Sequence, residues 1–550
     1  MNNMKKMFRY TIYTILWGIL LAGCSNFLQP DNPSEVTDKF YDTKAGQVAL
    51  LTDIYSKYRE VFSTGELQYY GTDLYMAITE SSDEKMFNGY DASFNGTAGI
   101  VQEYWSNLYK IVQESNTLLN RIKPTTAEMT TSEYNSITSQ GRFLRVLAYY
   151  YLVETFGPVP FYTEENKTVI TSVTRAPESD IYSFMISELT ALKGILPLKA
   201  KEAGRVSNSA VLQLLGKLYL TRAYRSYGQS GDFQNAATAF EDIINNSGHA
   251  LLPSFASVFD ENNQNNDEVI WAIQYGTDKN YYGSGNNQQS LFGFNITALN
   301  SELFIANQTD YSYMERKYWV NPRVHELFTD PVADSRYDAT FQREFYVNNT
   351  SSPYYGTLGI YFPRWNDASG DTKDAVHCYP FKSSGDYYWY PQSTAIAVLN
   401  NGSDHMPIIR KFKDTQMVWK GAGTREDVVM RLGDTYLLCA EAYLGTNQPD
   451  KALEKVNLIR ARAASTTADV ENMKLTSIDL NILMDERARE LLGEHDRWLD
   501  LKRCGLLISR ATEYNIFVKK YNNINVNHLV RPIPQDEIDR LAGLTQNTDY

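Results

Sequence analysis

Residues 436–456 read "YLLCAEAYLGTNQPDKALEKV". Tyr436, Cys439, Ala440 and Tyr443 are followed, across a short Asn-Gln-Pro turn, by Ala452 and Val456. This is the spacing W-x2-L-G-x2-Y, then A-x3-F, with small residues where two helices approach closely and large ones where they interlock. The stretch therefore predicts an antiparallel helix pair.

The same pattern recurs upstream. "LQLLGKLY" supplies Leu212, Leu215, Gly216 and Tyr219, with Ala236 and Phe240 following after an insertion. "LRVLAYYY" supplies Leu144, Leu147, Ala148 and Tyr151, its second helix displaced to about residue 178. Over 44–62, 98–122, 133–156, 177–195, 207–228 and 232–246, apolar residues recur at three- and four-residue spacing between Pro, Gly and Asn/Ser punctuation. Three matches to the tetratricopeptide pattern in one helical chain predict a mostly α protein with an irregular repeat array. The character changes between about 275 and 420. There "YYGSGNNQQS", "SSPYYGTLGIYFPRWNDASGD" and "SSGDYYWYPQS" are rich in Gly, Ser, Asn and aromatics and lack helical period, apart from a short helix predicted around "NPRVHELF". Long irregular segments in compact proteins usually carry function, so the ligand site is expected there.

The chain of 550 residues is 43% hydrophobic, enough for a large core. Its net charge of −13 repels phosphate backbones and excludes nucleic acid as a partner. Forty tyrosines accompany 24 Phe and 8 Trp. Tyrosine joins a flat apolar face to a polar tip, which suits half-wet ligands as well as helix packing. Residues 1–23 contain Lys5, Lys6 and Arg9, then an apolar run from about Thr11 to Ala22, too short to span a bilayer comfortably. They read as a secretory leader. "LAGC" at 21–24 resembles the bacterial lipobox, which implies that Cys24 accepts lipid and becomes the first mature residue. Two or three acyl chains would then hold the chain to a membrane. The remaining Cys378, Cys439 and Cys504 form no disulfide framework and no C-x-x-C metal site.

The densest charge lies in "DERARELLGEHDRWLDLKRCG", residues 485–505. On a helix over 480–503, Asp485 pairs with Arg489 at i, i+4, while Leu491, Leu492, Trp498, Leu499 and Leu501 supply apolar contacts. Glu490 and Glu494 share a face but His495 and Asp496 point elsewhere, so the cluster does not converge on a metal. No H-E-x-x-H, G-x-S-x-G, phosphate-binding loop or G-x-G-x-x-G is present. No cofactor, metal or catalytic residue is predicted. The Asn-rich "DENNQNNDEV" at 260–269 lacks the EF-hand spacing and reads as a turn before a strand-like "EVIWAIQY".

"ERARELLGEHDRWLDLKR" resembles the closing signature of the SusD/RagB family of outer-membrane lipoproteins. The lipobox, "FLRVLAYYYLVETFGPVPF", "ENNQNNDEVIWAIQY", "VVMRLGDTYLLCAEAYL" and "RPIPQDEIDR" agree with it in order. The resemblance implies a mostly α fold of about four tetratricopeptide-like hairpins supporting an irregular, loop-rich half with short strands, and no enzymatic activity. It divides the chain into a signal peptide, 1–23, and a single domain, 24–550, with helical parts at about 40–270 and 420–510 and a ligand-binding part at about 275–420. It also implies a partner and a place: glycan captured at the cell surface and passed to a SusC-like TonB-dependent transporter, on a lipid-anchored chain facing outward from the outer membrane. In that family the closing signature is structural. The segment "SNFLQPDNPSEV" after Cys24 is less acidic than the surface-export signal often found there.

A sugar ring presents C–H patches on its face and hydroxyls at its rim, so its natural partner is a flat aromatic beside amides or charged groups. In proteins this one resembles, such rings come from the loop before the second long helix and from the irregular half. The first position gives Phe87, Tyr90 and Phe94, with Asn88 and Asp91 as polar companions. The second gives Tyr281, Tyr282, Trp319, Trp365, Tyr388 and Trp389. Tyr90, Trp319, Trp365 and Trp389 lead this set, while Trp105, Trp271, Trp419 and Trp498 read as core. A shallow site of this kind binds at micromolar to millimolar strength, roughly −4 to −8 kcal/mol. Peptide cargo, as RagB-type members imply, is the alternative; a surface glycoside hydrolase is the remaining one.

Overall fold

The computed structural model describes residues 38–550 apart from 64, 78–81, 124–127, 277–284, 294–295, 297–300, 306–310, 312–316, 322, 363, 366–376, 379–406 and 418–422. The protein is mostly helical. Helices α1 (Lys44–Ser63), α2 (Gly99–Arg121), α3 (Thr131–Phe156), α4 (Glu178–Leu192), α5 (Asn208–Ala223) and α6 (Asp232–Asn246) follow the apolar periodicity of the sequence. After a long excursion come α7 (Leu432–Gly445) and α8 (Pro449–Ala463). Each of these eight packs on the next in chain order, α6 on α7 included, so four hairpins form one array.

Local chemistry sets the ends. Thr130 and Glu133 cap α3 reciprocally, the Thr130 side chain accepting from Glu133 N and the Glu133 carboxylate from Thr130 N. Pro449 starts α8 at a position where no intrahelical N–H is needed. Close approach then explains the small residues of the pattern. A Cβ at Gly216 on α5 would lie 2.6 Å from the Phe240 ring on α6, and one at Gly445 would lie 2.2 Å from Phe233.

The excursion between α6 and α7 leaves and returns through one antiparallel ladder. Strand β1 (Val269–Ile273) pairs with β5 (Asp427–Arg431), Ile273 opposite Asp427 and Val269 opposite Arg431. Inside the excursion, β2 (Glu344–Tyr346) and β3 (Leu358–Tyr361) form a hairpin, with β4 (His377–Cys378) parallel to β3. The helix predicted around "NPRVHELF" is a single turn, Arg323–Glu326. Ile296, Leu303, Phe304, Phe345, Val347, Ile360 and neighbours make a small core apart from the main one.

The helix expected over 480–503 is instead two: α9 (Leu480–Leu491) and α10 (Arg497–Arg503). Gly493 (φ +81°) and Asp496 (φ +79°) take left-handed backbone between them, and a Cβ at Gly493 would meet the Phe412 ring at 2.5 Å. The expected Asp485–Arg489 pair is also replaced. Arg489 pairs with Glu486 at 2.6 Å, and Asp485 turns to Arg510 and Arg323.

Candidate functional site

The charged stretch belongs to the frame. Arg431, at the end of β5, reaches Glu268 beside β1 (3.0 Å), Glu490 on α9 (2.8 Å) and Glu494 (2.6 Å). Arg336, inside the excursion, reaches Asp334 (2.7 Å), Glu486 (2.8 Å) and Glu490 (3.1 Å). Arg462 on α8 joins Glu268 at 2.8 Å and Glu490. The side chains of Arg336, Glu268, Glu486 and Glu490 are fully buried. Burial opposes ionisation of Glu490, but Arg462, Arg431 and Arg336 outweigh it and hold the carboxyl well below the usual range. Among the described residues, no group of three His, Cys, Asp or Glu side chains is arranged to hold a metal.

The aromatic loop before α2 is likewise interior. Phe87, Tyr90 and Phe94 are each no more than 2% exposed, which corrects the expectation of open stacking faces. Phe87 packs on Phe94 (4.8 Å) and Tyr70 (5.5 Å), and the other two turn inward onto Arg531. Its guanidinium lies over Trp498 (4.4 Å), Phe94 (5.2 Å) and Tyr90 (5.7 Å), a cation–π box. Tyr90 donates its hydroxyl to Gly71 O at 2.9 Å, and burial raises its pKa. Asn88 is also consumed, bonding both ways with the Ala77 backbone at 2.9 and 2.8 Å. Asp91 caps its own turn through Ser93 N at 2.9 Å.

Trp319 is buried, its strand pairing Met76 with register Met76 opposite Trp319. It too offers no open face. Trp365 is half-buried, packs against the main core and donates its indole N–H to Phe328 O at 2.9 Å. Trp105, Trp271 and Trp498 are core, as their spacing predicts. Tyr281, Tyr282, Tyr388, Trp389, Trp419 and the lipid-anchor residue Cys24 lie outside the described residues.

Open rings do occur, on β2 and the turn that follows it. Among the described residues, the aromatics with large exposure are Tyr346 (49%), Tyr354 (49%) and Tyr355 (58%). Alternation explains the first. Phe345 and Val347 point into the small core, so Tyr346 faces away from it. The other two sit on the turn Ser352-Pro353-Tyr354-Tyr355, closed by Tyr355 N to Ser352 O at 3.1 Å, with Pro at the position its fixed φ favours. Thr357 N to Tyr354 O (2.9 Å), Gly356 N to Val347 O (2.9 Å) and Val347 N to Thr357 O (2.9 Å) brace the tip. Gly356 has φ +78°, a conformation glycine adopts freely. Asn348 ties the same hairpin to the Ile305 backbone through two bonds of 2.8 and 2.9 Å. Rings so held, beside Glu344 and the Ser and Asn side chains of the turn, can stack on a flat ligand face and bond its rim. Sequence reasoning quoted this stretch yet chose Trp365 from it. The signal for Tyr354 and Tyr355 was present in their neighbours, Ser-Ser-Pro before and Gly after, which mark a solvent-facing turn.

Four helical hairpins interrupted by a ring-bearing, loop-rich excursion define a repeat-scaffold protein with an inserted presentation surface. The chain belongs to the SusD family: that family's model matches residues 267–550, and a second model, described as starch-binding and associating with the outer membrane, matches 26–220. It is similar to SusD-like protein P25 of Formosa agariphila, 24% identical over 94% of this chain and 93% of that one. A solved SusD homologue from Bacteroides thetaiotaomicron aligns with TM-score 0.72 at 18% identity, over 94% of this chain and all of the other. A solved laminarin-binding SusD-like protein aligns with TM-score 0.67 at 21% identity, over 92% of this chain and all of that one. Identities this low show the shared fold.

Proposed function

We propose that this chain is a carbohydrate-binding lipoprotein that holds an oligosaccharide or polysaccharide by ring stacking, breaks no bond in it, and delivers it to a SusC-like TonB-dependent transporter. The observation that carries the reading is the confinement of the strongly exposed aromatics, among the described residues, to one braced hairpin in the irregular half. The family description and the laminarin-binding neighbour support a glycan as cargo. The ligand surface then comprises Tyr346, Tyr354 and Tyr355, with Trp365, Tyr281, Tyr282, Tyr388 and Trp389 as further candidates. In this reading residues 24–550 form the mature chain, tethered through Cys24 to the outer membrane and facing outward. Retention of the protein in affinity gels cast with a glycan panel tests the site. Tyr346→Ala combined with Tyr354→Ala and Tyr355→Ala is expected to abolish retarded migration. Unchanged migration refutes the placement, and binding of a peptide mixture in place of every glycan refutes the cargo. Labelled palmitate present on the wild type and absent from Cys24→Ala tests the anchor.

A further inference from the structure

A second concavity lies on the helical array, away from the hairpin's elements. It is a groove of about 610 Å³ that runs along one face of α2, walled by the segment after α3 and by the short helix Gln535–Arg540. That volume falls within the roughly 300–1,000 Å³ usual for small-ligand clefts. Gln102, Tyr109 and Gln113 line it at i, i+7 and i+11, so the lined face extends about 17 Å along the helix.

Its floor is aromatic and fixed. Half-buried Tyr109 and Tyr162 line it with their rings 6.1 Å apart, and buried Trp105, 4.8 Å from the Tyr109 ring, backs them from the core. The Tyr109 hydroxyl is pinned to Pro160 O at 2.7 Å. Two acceptors on this face are buried and unmatched: Gln102 Oε1 and Glu114 Oε2 have no hydrogen-bond partner. The other ends of both side chains are occupied. Gln102 Nε2 donates to Ser106 Oγ (3.1 Å) and Glu537 Oε1 (3.2 Å), and Glu114 Oε1 faces Lys57 Nζ at 3.2 Å. Burial, with Asp53 nearby, pushes the Glu114 carboxyl up to about 7. The carboxylates of the groove are paired, Glu114 with Lys57 and Glu537 with Arg540, and the further cation, Lys110, is exposed at the rim and bonds Asn107 Oδ1 at 3.4 Å. The paired charges of the groove thus select neither an anion nor a cation. Rings on the floor and lone acceptors beside them fit a neutral ligand with flat C–H faces and O–H donors.

We infer that this groove is a second binding site, for a neutral oligosaccharide of two to four sugar rings, distinct from the tyrosine hairpin. It shares the ligand class proposed above but does not need the hairpin to act.

The test uses the full mature chain and neutral di- to tetrasaccharides of the laminari, malto and xylo series, titrated by calorimetry, with hydrogen–deuterium exchange on the saturated protein. Four proteins are compared: wild type, the triple hairpin variant, and that variant carrying either Thr168→Trp or Glu114→Gln. Thr168 is an exposed residue of the groove wall, so the added indole narrows the groove without entering the core. The triple variant is expected to keep one class of site and to protect amides within 102–114 and 160–170. Thr168→Trp or Glu114→Gln is expected to weaken that remaining site at least tenfold. Loss of all binding in the triple variant overturns the groove while leaving the hairpin reading intact. Full binding in the triple variant that vanishes with the groove substitutions supports the groove and refutes the hairpin. No binding of any member by the wild type, or protection of the same amides by a peptide mixture alone, overturns the groove assignment.

Discussion

Replacing Glu490 by glutamine removes one charge while keeping the side chain's size, and the structure sets how much that should matter. The carboxylate is fully buried and accepts from Arg431 Nη1 at 2.8 Å and Arg336 Nη1 at 3.1 Å, with Arg462 Nη2 as a third donor. Each hydrogen bond to a charged group contributes about 1.5–3 kcal/mol. Summing three would overshoot, because the glutamine oxygen still accepts, and Glu268, Glu486 and Glu494 remain to balance the arginines. Breaking one member of a buried ion cluster costs about 3–5 kcal/mol, chiefly by leaving its partners uncompensated. The remaining carboxylates place Glu490→Gln near the lower end, about 3 kcal/mol. Urea unfolding followed by far-ultraviolet circular dichroism measures it, with Asp267→Asn as the comparison. Asp267 pairs with Lys199 at the surface, where such pairs are worth under about 1 kcal/mol. Hydrogen exchange should also accelerate across β1 and β5, whose ends the cluster ties together. A loss for Glu490→Gln no larger than that of Asp267→Asn would refute the view that this cluster fastens the excursion to the array.

Gly216→Ala gains up to about 1 kcal/mol of helix propensity but drives a methyl into the Phe240 ring, for a net loss of about 1–2 kcal/mol; adding Phe240→Leu should recover thermal stability, and a stabilised single variant would contradict the packing. Acid should unfold the protein between about pH 4.5 and 2. Burial opposes charge on Glu486 and Glu154, yet Arg336, Arg489 and Arg460 around the first, and Arg225 and Lys502 around the second, lower each carboxyl from 4.5 to about 2. Stabilisation from both is therefore complete above the unfolded value and is lost as pH falls through the folded one, so a circular-dichroism signal flat down to pH 2 would count against it. Tyr354→Ala with Tyr355→Ala should leave the urea midpoint within the equivalent of about 0.5 kcal/mol, since both rings are largely solvated; a larger loss would mean that they pack.

The repeat was legible because helix pairing needs small residues at fixed offsets, and Gly216, Ala236, Phe240, Ala440 and Ala452 stand at those offsets. The structural use of the charged stretch was legible too, though its partners were not. Arg431, Arg336 and Arg462 come from elements up to 194 positions from the carboxylates they meet, and no local pattern encodes such a separation. The same limit misplaced the loop before α2. Phe87, Tyr90 and Phe94 sit in a Gly- and Asn-rich stretch that reads as exposed, and only Arg531, arriving more than 430 residues later, supplies the cation that draws two of these rings inward. Tyr354 and Tyr355 needed only their own neighbours to be found, because turn chemistry is local.

Frame and grip are thus energetically separable in this chain. The excursion is fastened at its neck, by the β1–β5 ladder and the Arg431 cluster, while the hairpin rests on its own small core. Changes at the tip remove exposed rings without opening a cavity in the frame, so the proposed ligand surface is free to vary where the array is not. The turn bonds and the double tie of Asn348 fix the backbone beneath the tyrosines before any ligand arrives. Binding then orders little more than side chains, at about 0.5–1.5 kcal/mol for each one immobilised. On those terms, under the function proposed above, a few solvated rings would suffice to retain a polymer weakly, as handing it onward would require.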